Sequence, residues 1–309
     1  MHTNDARSVV VGIDGTGGSD GALRYGVEQA RAQGCGLTLV HVGPRYDADV
    51  TPILPYVPQQ VDGAGLAILA EAEDLVNQLA PQVKCATDLR HGSRISALLE
   101  AAAGGRSLVL GREVDRGAQR LLFGATTAAV VARACVPTAV ITGTWQAART
   151  PRRVVVGLRT AEHCDELFAA AFGQASAQAA GLEVVHAWKI PDPYIASVHD
   201  RYHANKWVTA GTEMVERVLT SWRDRYPDVP VTVRVVHAEP ARALLAAAEG
   251  AEMLVLLRRP VPELWGAHLG KTARAVIGAA PCPVHVLPCP PRENAVLDLD
   301  RGRSSALLG

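Results

Sequence analysis

Short apolar runs rich in valine and leucine alternate along the chain with alanine-rich amphipathic stretches. In the first half SVVVGI (Ser8 to Ile13), LTLVHV (Leu37 to Val42), KCATDL (Lys84 to Leu89), SLVLG (Ser107 to Gly111) and PTAVIT (Pro137 to Thr142) predict strands. The segments Ser19 to Gln33, Gly65 to Leu79, Ile95 to Ala103 and Ala125 to Ala134 carry helical spacing. Most strands are apolar at consecutive positions, which marks a sheet covered on both faces, and right-handed crossovers then make it parallel. The second half repeats the order with RRVVVGL, LEVVHA, PVTVRVV, EMLVLL and PVHVLP. The expected fold class is α/β, with two tandem doubly wound domains, each a five-stranded parallel sheet with helices on both faces.

The repeat is visible in the residues themselves. QARAQGCGLTLVHV from Gln29 returns as QASAQAAGLEVVHA from Gln174, so His41 matches His186 at 186 − 41 = 145. Later landmarks step by 146: His91 with His237, Gly124 with Gly270 and Pro137 with Pro283, which implies one net inserted residue in the second copy. A period of this length is a domain. It divides the chain into residues 1–147, 148–290 and a proline-led tail at 291–309. Two connections, roughly Gly43 to Val61 and Lys189 to Asn205, follow the second strand of each half and emerge where a doubly wound sheet binds ligands.

Charge removes several partner classes. The 309 residues hold 31 basic and 31 acidic side chains, so no net field draws nucleic acid or an anionic membrane. No apolar run reaches spanning length and MHTNDARS lacks a signal-peptide core, so a cytoplasmic location is expected. The six cysteines show no C-x-x-C or zinc spacing. His199 and His203 would share a helix face, but HDRYH lacks the glutamate of a zinc protease motif and reads as surface.

The residues with chemical potential sit at strand ends and a helix start. Asp14 ends the first strand, Gly111 ends the fourth, and GATT (Gly124 to Thr127) opens the helix before the fifth. A glycine lets a phosphate approach the backbone, a helix start attracts anions, and Thr126 and Thr127 add hydroxyls. Asp14 can accept hydrogen bonds from a sugar or base, or simply cap the next helix. GKT at Gly270 to Thr272 is not a P-loop, because Trp265 stands where the first glycine belongs. GTGGSDG after Asp14 fails the dinucleotide fingerprint at Asp20.

VVVGIDGTGGSDGALRYGVEQA, VHVGP and above all LVLGREVDRGAQRLLFGATTAAVVARACVPTAVI resemble the universal stress protein family, specifically its tandem members. The resemblance implies a signature G-x2-G-x9-G-[ST], an aspartate after the first strand and an apolar adenine contact after the second. Carried over, these are Asp14 with Gly12 and Ile13 beside it, Val42, Gly111 with Leu110 beside it, and Gly124 followed by Ala125, Thr126 and Thr127. Two positions depart: the second glycine is Val114, and the hydroxyl residue is Ala125, a lost hydrogen bond of about 1 kcal/mol. The second half departs further, with Arg159, Leu257 and Gly270 at the matching places.

The resemblance implies a stress-associated regulatory protein whose first domain binds ATP, with accompanying Mg2+, or a related adenine nucleotide. The second domain is then a structural or partner-binding copy, with one nucleotide per chain. A slow ATPase is the enzymatic alternative, and a dimeric scaffold without nucleotide is the third. Expected partners are an adenine nucleotide, an unidentified protein, and a second copy or an intramolecular pseudo-dimer. Pro137 to Thr142 and Pro283 to Pro288 are the edges expected to pair antiparallel.

Overall fold

The computed structural model describes residues 8–45, 58–112, 124–147, 153–162, 164–189, 204–258 and 269–288. The first half runs β1 (Val9–Gly12), α1 (Gly17–Gln33), β2 (Leu37–Gly43), α2 (Pro58–Leu79), β3 (Cys85–His91), α3 (Arg94–Ala102), β4 (Ser107–Arg112), α4 (Ala125–Arg133) and β5 (Thr138–Thr142). The second runs β6 (Arg153–Gly157), α5 (Asp165–Ala177), β7 (Gly181–Trp188), α6 (Ala204–Arg225), β8 (Val231–His237), α7 (Pro240–Ala248), β9 (Ala251–Leu257), α8 (Lys271–Ala279) and β10 (Val284–Leu287). All ten expected strands form. Val114, Trp265, His199, His203, Cys289 and the tail at 291–309 lie outside the described residues. No helix among the described residues is long and apolar enough to cross a membrane.

Two helices start earlier than the sequence pattern suggests. The expected connections are shortened because α2 begins at Pro58 and α6 at Ala204. Proline suits a first helical position, where its missing N–H removes no bond. Gly65, the expected first residue of α2, lies inside it, and a Cβ there would lie 2.8 Å from Leu89 Cδ1 and 3.2 Å from the His41 ring. Its counterpart Gly211 (65 + 146) would place a Cβ 2.9 Å from Val235 and 3.4 Å from the His186 ring. In both halves glycine lets the helix lie against the sheet.

The strands form one sheet in the order β3-β2-β1-β4-β5-β10-β9-β6-β7-β8. Pairing is parallel within each half and antiparallel between β5 and β10, where Val140 faces Val284, Ala139 faces His285 and Thr138 faces Val286. The edges expected to pair do so. An apolar cluster crosses this seam, with Val131, Ala132 and Val140 packed among Val276, Ile277 and Val284.

Two arginines 146 residues apart bind the halves reciprocally. Arg112, at the end of β4, donates from Nη1 to the Gly278 carbonyl at 2.8 Å and from Nη2 to the Ala280 carbonyl, closing the C-terminus of α8. Arg258, after β9, donates from Nη1 to the Ala134 carbonyl at 2.7 Å and the Val131 carbonyl at 3.2 Å, at the C-terminus of α4. A cation suits both places, because the last carbonyls of a helix lack helical partners and carry its negative end. Arg112 is 7 % exposed, and burial lowers its pKa. Beyond the arginines, Tyr25 and His285 share a hydrogen bond of 2.5 Å across the seam, and Trp145 packs edge-on against Tyr25.

Two outcomes follow for stability. Arg112→Ala strands buried carbonyls and is expected to cost about 2–4 kcal/mol, against about 1–2 kcal/mol for the less buried Arg258→Ala; urea denaturation midpoints check the order. His285 lines the seam cavity and is half-buried, and desolvation pushes its pKa from 6.5 down to about 4. The unfolded chain therefore binds more protons between those values. The seam contribution is full above pH 6.5 and falls as the pH drops toward 4, by up to roughly 3 kcal/mol. His285→Gln removes this titration, so its stability must decline less steeply than wild type between pH 7 and 4.5; equal slopes would exclude His285 as the cause.

Candidate functional site

The carboxyl ends of β1 and β2 are tied by the histidines that mark the repeat. His41 Nδ1 donates to the Ile13 carbonyl at 2.8 Å, and His186 Nδ1 donates to the Leu158 carbonyl at 3.0 Å. A carbonyl only accepts, so each ring carries its proton on Nδ1. These bonds place the next residue, Asp14 in one half and Arg159 in the other. Asp14 is exposed, and its Oδ1 accepts from the Thr16 backbone N–H at 2.9 Å and hydroxyl at 2.8 Å. Thr16 in turn caps α1. The aspartate thus builds a turn whether or not it meets a ligand.

Gly111 has a structural duty as well. A Cβ there would lie 2.2 Å from the Gly18 carbonyl oxygen, and one on Gly21 would lie 2.0 Å from the Thr142 carbonyl oxygen. Gly21 of GTGGSDG is explained by this contact, the start of α1 resting on the ends of β4 and β5, whereas Gly15 has a positive φ and meets Ile68. In the second half the place of Gly17 is 17 + 145 = 162, but α5 begins at Asp165, three residues later. Without that turn, Leu257 stands where Gly111 does.

The other expected residues divide between core and surface. Val42 and Leu110 are buried in one cluster with Leu98, and Leu98 and Leu110 lie where a Cβ on Gly12 would be. Ile13 is buried on the opposite side of the sheet. Gly124 and Ala125 are exposed at the start of α4, with Thr126 and Thr127 half-buried behind them. No side chain caps this helix start, so its amides remain open to an anion.

A cavity of about 340 Å³ opens at the same level in the second half. Its lining includes the counterparts of all ten expected residues. At the strand ends these are Gly157, Leu158, Arg159, Ala187, Leu256 and Leu257, and at the start of α8 they are Gly270, Lys271, Thr272 and Ala273. The offsets are 145 up to Ala187 and 146 beyond it. Ala187 replaces Val42, and the shortened α5 brings Cys164 and Leu167 into the wall in place of a helical turn. The cavity therefore falls in the half that departs further from the motif. Lys271 and Arg258 were the residues passed over, although a comparison of charge rather than motif identity would have marked Lys271. A nucleophilic thiol has no support at the site: Cys164 lines the cavity, and burial raises its pKa, which disfavours the thiolate.

Two doubly wound halves sharing one sheet define a tandem pseudo-dimer of the α/β class. The chain belongs to the universal stress protein family, whose model matches residues 6–142 and again 150–288. It is 31% identical over 289 residues to a universal stress protein of Mycobacterium tuberculosis strain H37Rv, covering 90% of this chain and 96% of that one. A relative in Mycolicibacterium smegmatis is 27% identical over 293 residues, with 90% and 96% covered. The solved universal stress protein of Archaeoglobus fulgidus DSM 4304 shares the fold at a TM-score of 0.67 and 17% identity, covering 93% of this chain and 99% of that one.

The two glycines of the motif should respond differently to a methyl group. Gly111→Ala drives a Cβ into the α1 backbone and is expected to cost about 2 kcal/mol or more without any ligand. At Gly124 the nearest atom of the described residues to an added Cβ is Thr127 Oγ1 at 3.8 Å, so Gly124→Ala should leave stability within about 0.5 kcal/mol. Denaturant titration of the two variants checks the contrast.

Proposed function

We propose that this chain is a stress-associated regulatory protein that binds an adenine nucleotide, ATP with Mg2+ or a related species, in its first half. The site comprises Gly12, Ile13, Asp14, Val42, Leu110, Gly111 and Gly124 to Thr127. One observation carries the reading: the second-half counterparts of these ten residues line a single cavity, which supports their convergence at the matching place in the first half. Asp14 supplies an exposed acceptor, Gly124 and Ala125 leave the α4 amides accessible, and Val42 and Leu110 supply apolar surface. Nucleotide binding then acts by occupancy rather than turnover, because these ten residues include no cation and Asp14 is their only carboxylate.

A pseudo-dimeric scaffold is the second reading, favoured by the packing of Val42. It is 8 % exposed and closed against Leu98 and Leu110, so adenine would have to part these side chains.

Calorimetry of nucleotide-stripped protein with ATP and Mg2+ decides between them. The expected result is one site per chain, weakened about fivefold by Asp14→Asn, which keeps an oxygen for the Thr16 turn, and lost in Gly124→Val. Absence of heat at millimolar ATP establishes the scaffold. A stoichiometry of two, or ATP binding indifferent to both variants, overturns the first-half assignment.

A further inference from the structure

The second-half cavity differs from the matching first-half positions in charge and in room, and both differences bear on what it can hold. Among the ten matched positions the first half carries Asp14, for 0 − 1 = −1, and the second carries Arg159 and Lys271, for 2 − 0 = +2. Lys271 is the first residue of α8, where the helix dipole disfavours a cation. The first turn of α8 has no acidic residue, and Gly270 offers no capping side chain. Arg159 is exposed and forms no ion pair with another described residue. Thr160 and Thr272 add hydroxyls to the same wall, and Glu162 is the opposing carboxylate.

Beneath this rim the wall is apolar. Leu158, Val185, Leu244, Leu256 and Leu269 line it, and Ala187 leaves space that Val42 fills in the other half. Arg258 also lines the cavity but is engaged with the carbonyls of α4, which leaves Arg159 and Lys271 as the cations available to a ligand. Two cations, an uncapped helix start and two hydroxyls suit a dianion. The exchange of an acceptor for Arg159 removes the partner that a sugar diol would use. A volume of about 340 Å³ lies within the range of small-molecule sites.

We infer that the second-half cavity binds a small organic phosphate monoester with an apolar or aromatic body. The phosphate is held by Arg159, Lys271 and the start of α8, and the body lies over Leu244 and Leu256. This assignment uses second-half residues and stands apart from the first-half nucleotide reading.

Calorimetry of the full chain with 1-naphthyl phosphate, 1-naphthoate, 1-naphthol and inorganic phosphate tests it. 1-Naphthyl phosphate should bind once per chain, at least tenfold more tightly than each of the other three. Arg159→Gln and Lys271→Gln should each weaken it about tenfold. Both side chains are exposed, and unchanged melting temperatures verify that the variants fold. Equal affinity for 1-naphthoate overturns the phosphate assignment. Equal affinity for 1-naphthol, binding unchanged in both variants, or no heat at millimolar probe overturns the site. Failure of the nucleotide reading appears in the ATP titration and leaves these heats unaltered.

Discussion

The antiparallel pairing of β5 with β10 is the constraint on which the rest of the structure depends. Each half presents a largely apolar strand at its inner edge, and an uncovered edge of that kind exposes unpaired backbone groups and invites association. Pairing the two edges extends the sheet across the molecule and buries both strands. The contact is short, with three facing residue pairs, so it is reinforced from outside the sheet. Arg112 and Arg258 do this by reaching from each half to the last helix of the other. Their charges are placed against helix carbonyls rather than carboxylates, which satisfies them without a buried ion pair.

That arrangement joins the seam to the ligand edge. Arg112 follows Gly111 directly, and Arg258 follows Leu257, so each clamp begins beside one set of candidate ligand residues. The helices they hold are nine residues long, and their opposite ends begin after Gly124 and Gly270. Each of these short helices is thus fixed at its C-terminus by the other half and left without a side-chain cap at its N-terminus. In the proposed reading the two ends of one element serve assembly and recognition separately.

Divergence between the halves has a simple geometric logic. In the first half α1 begins early, presses on β4 and β5, and requires glycine at 21 and 111. In the second half α5 begins later, leucine replaces glycine on β9, and a cavity forms where the lost helical turn would lie. Arg159 and Lys271 then change its character from acidic to basic. One scaffold thereby offers two chemically unlike edges, while His41 and His186 keep the same bond in both.

Much of this was legible in the residues. Consecutive apolar positions and helical spacing report burial on two faces or one, and these local signals were enough for the ten strands, the doubly wound class and the tandem repeat. The repeat also located the candidate site at the strand ends. What the sequence did not reveal was set by separate segments meeting in space. Gly111 reads as a phosphate-site glycine, yet α1 rests on the ends of β4 and β5 and needs glycine at 111 and at 21, and Gly65 must be glycine because Leu89 and the His41 ring lie beneath it. Nothing local marks Arg112 or Arg258, because their acceptors lie 166 and 124 residues away in the chain. The size of a cavity likewise depends on Ala187, Leu257 and the start of α5 together. Local pattern fixes which face a residue buries, whereas the volume left between faces, and the partner a charge finds there, are decided by tertiary packing.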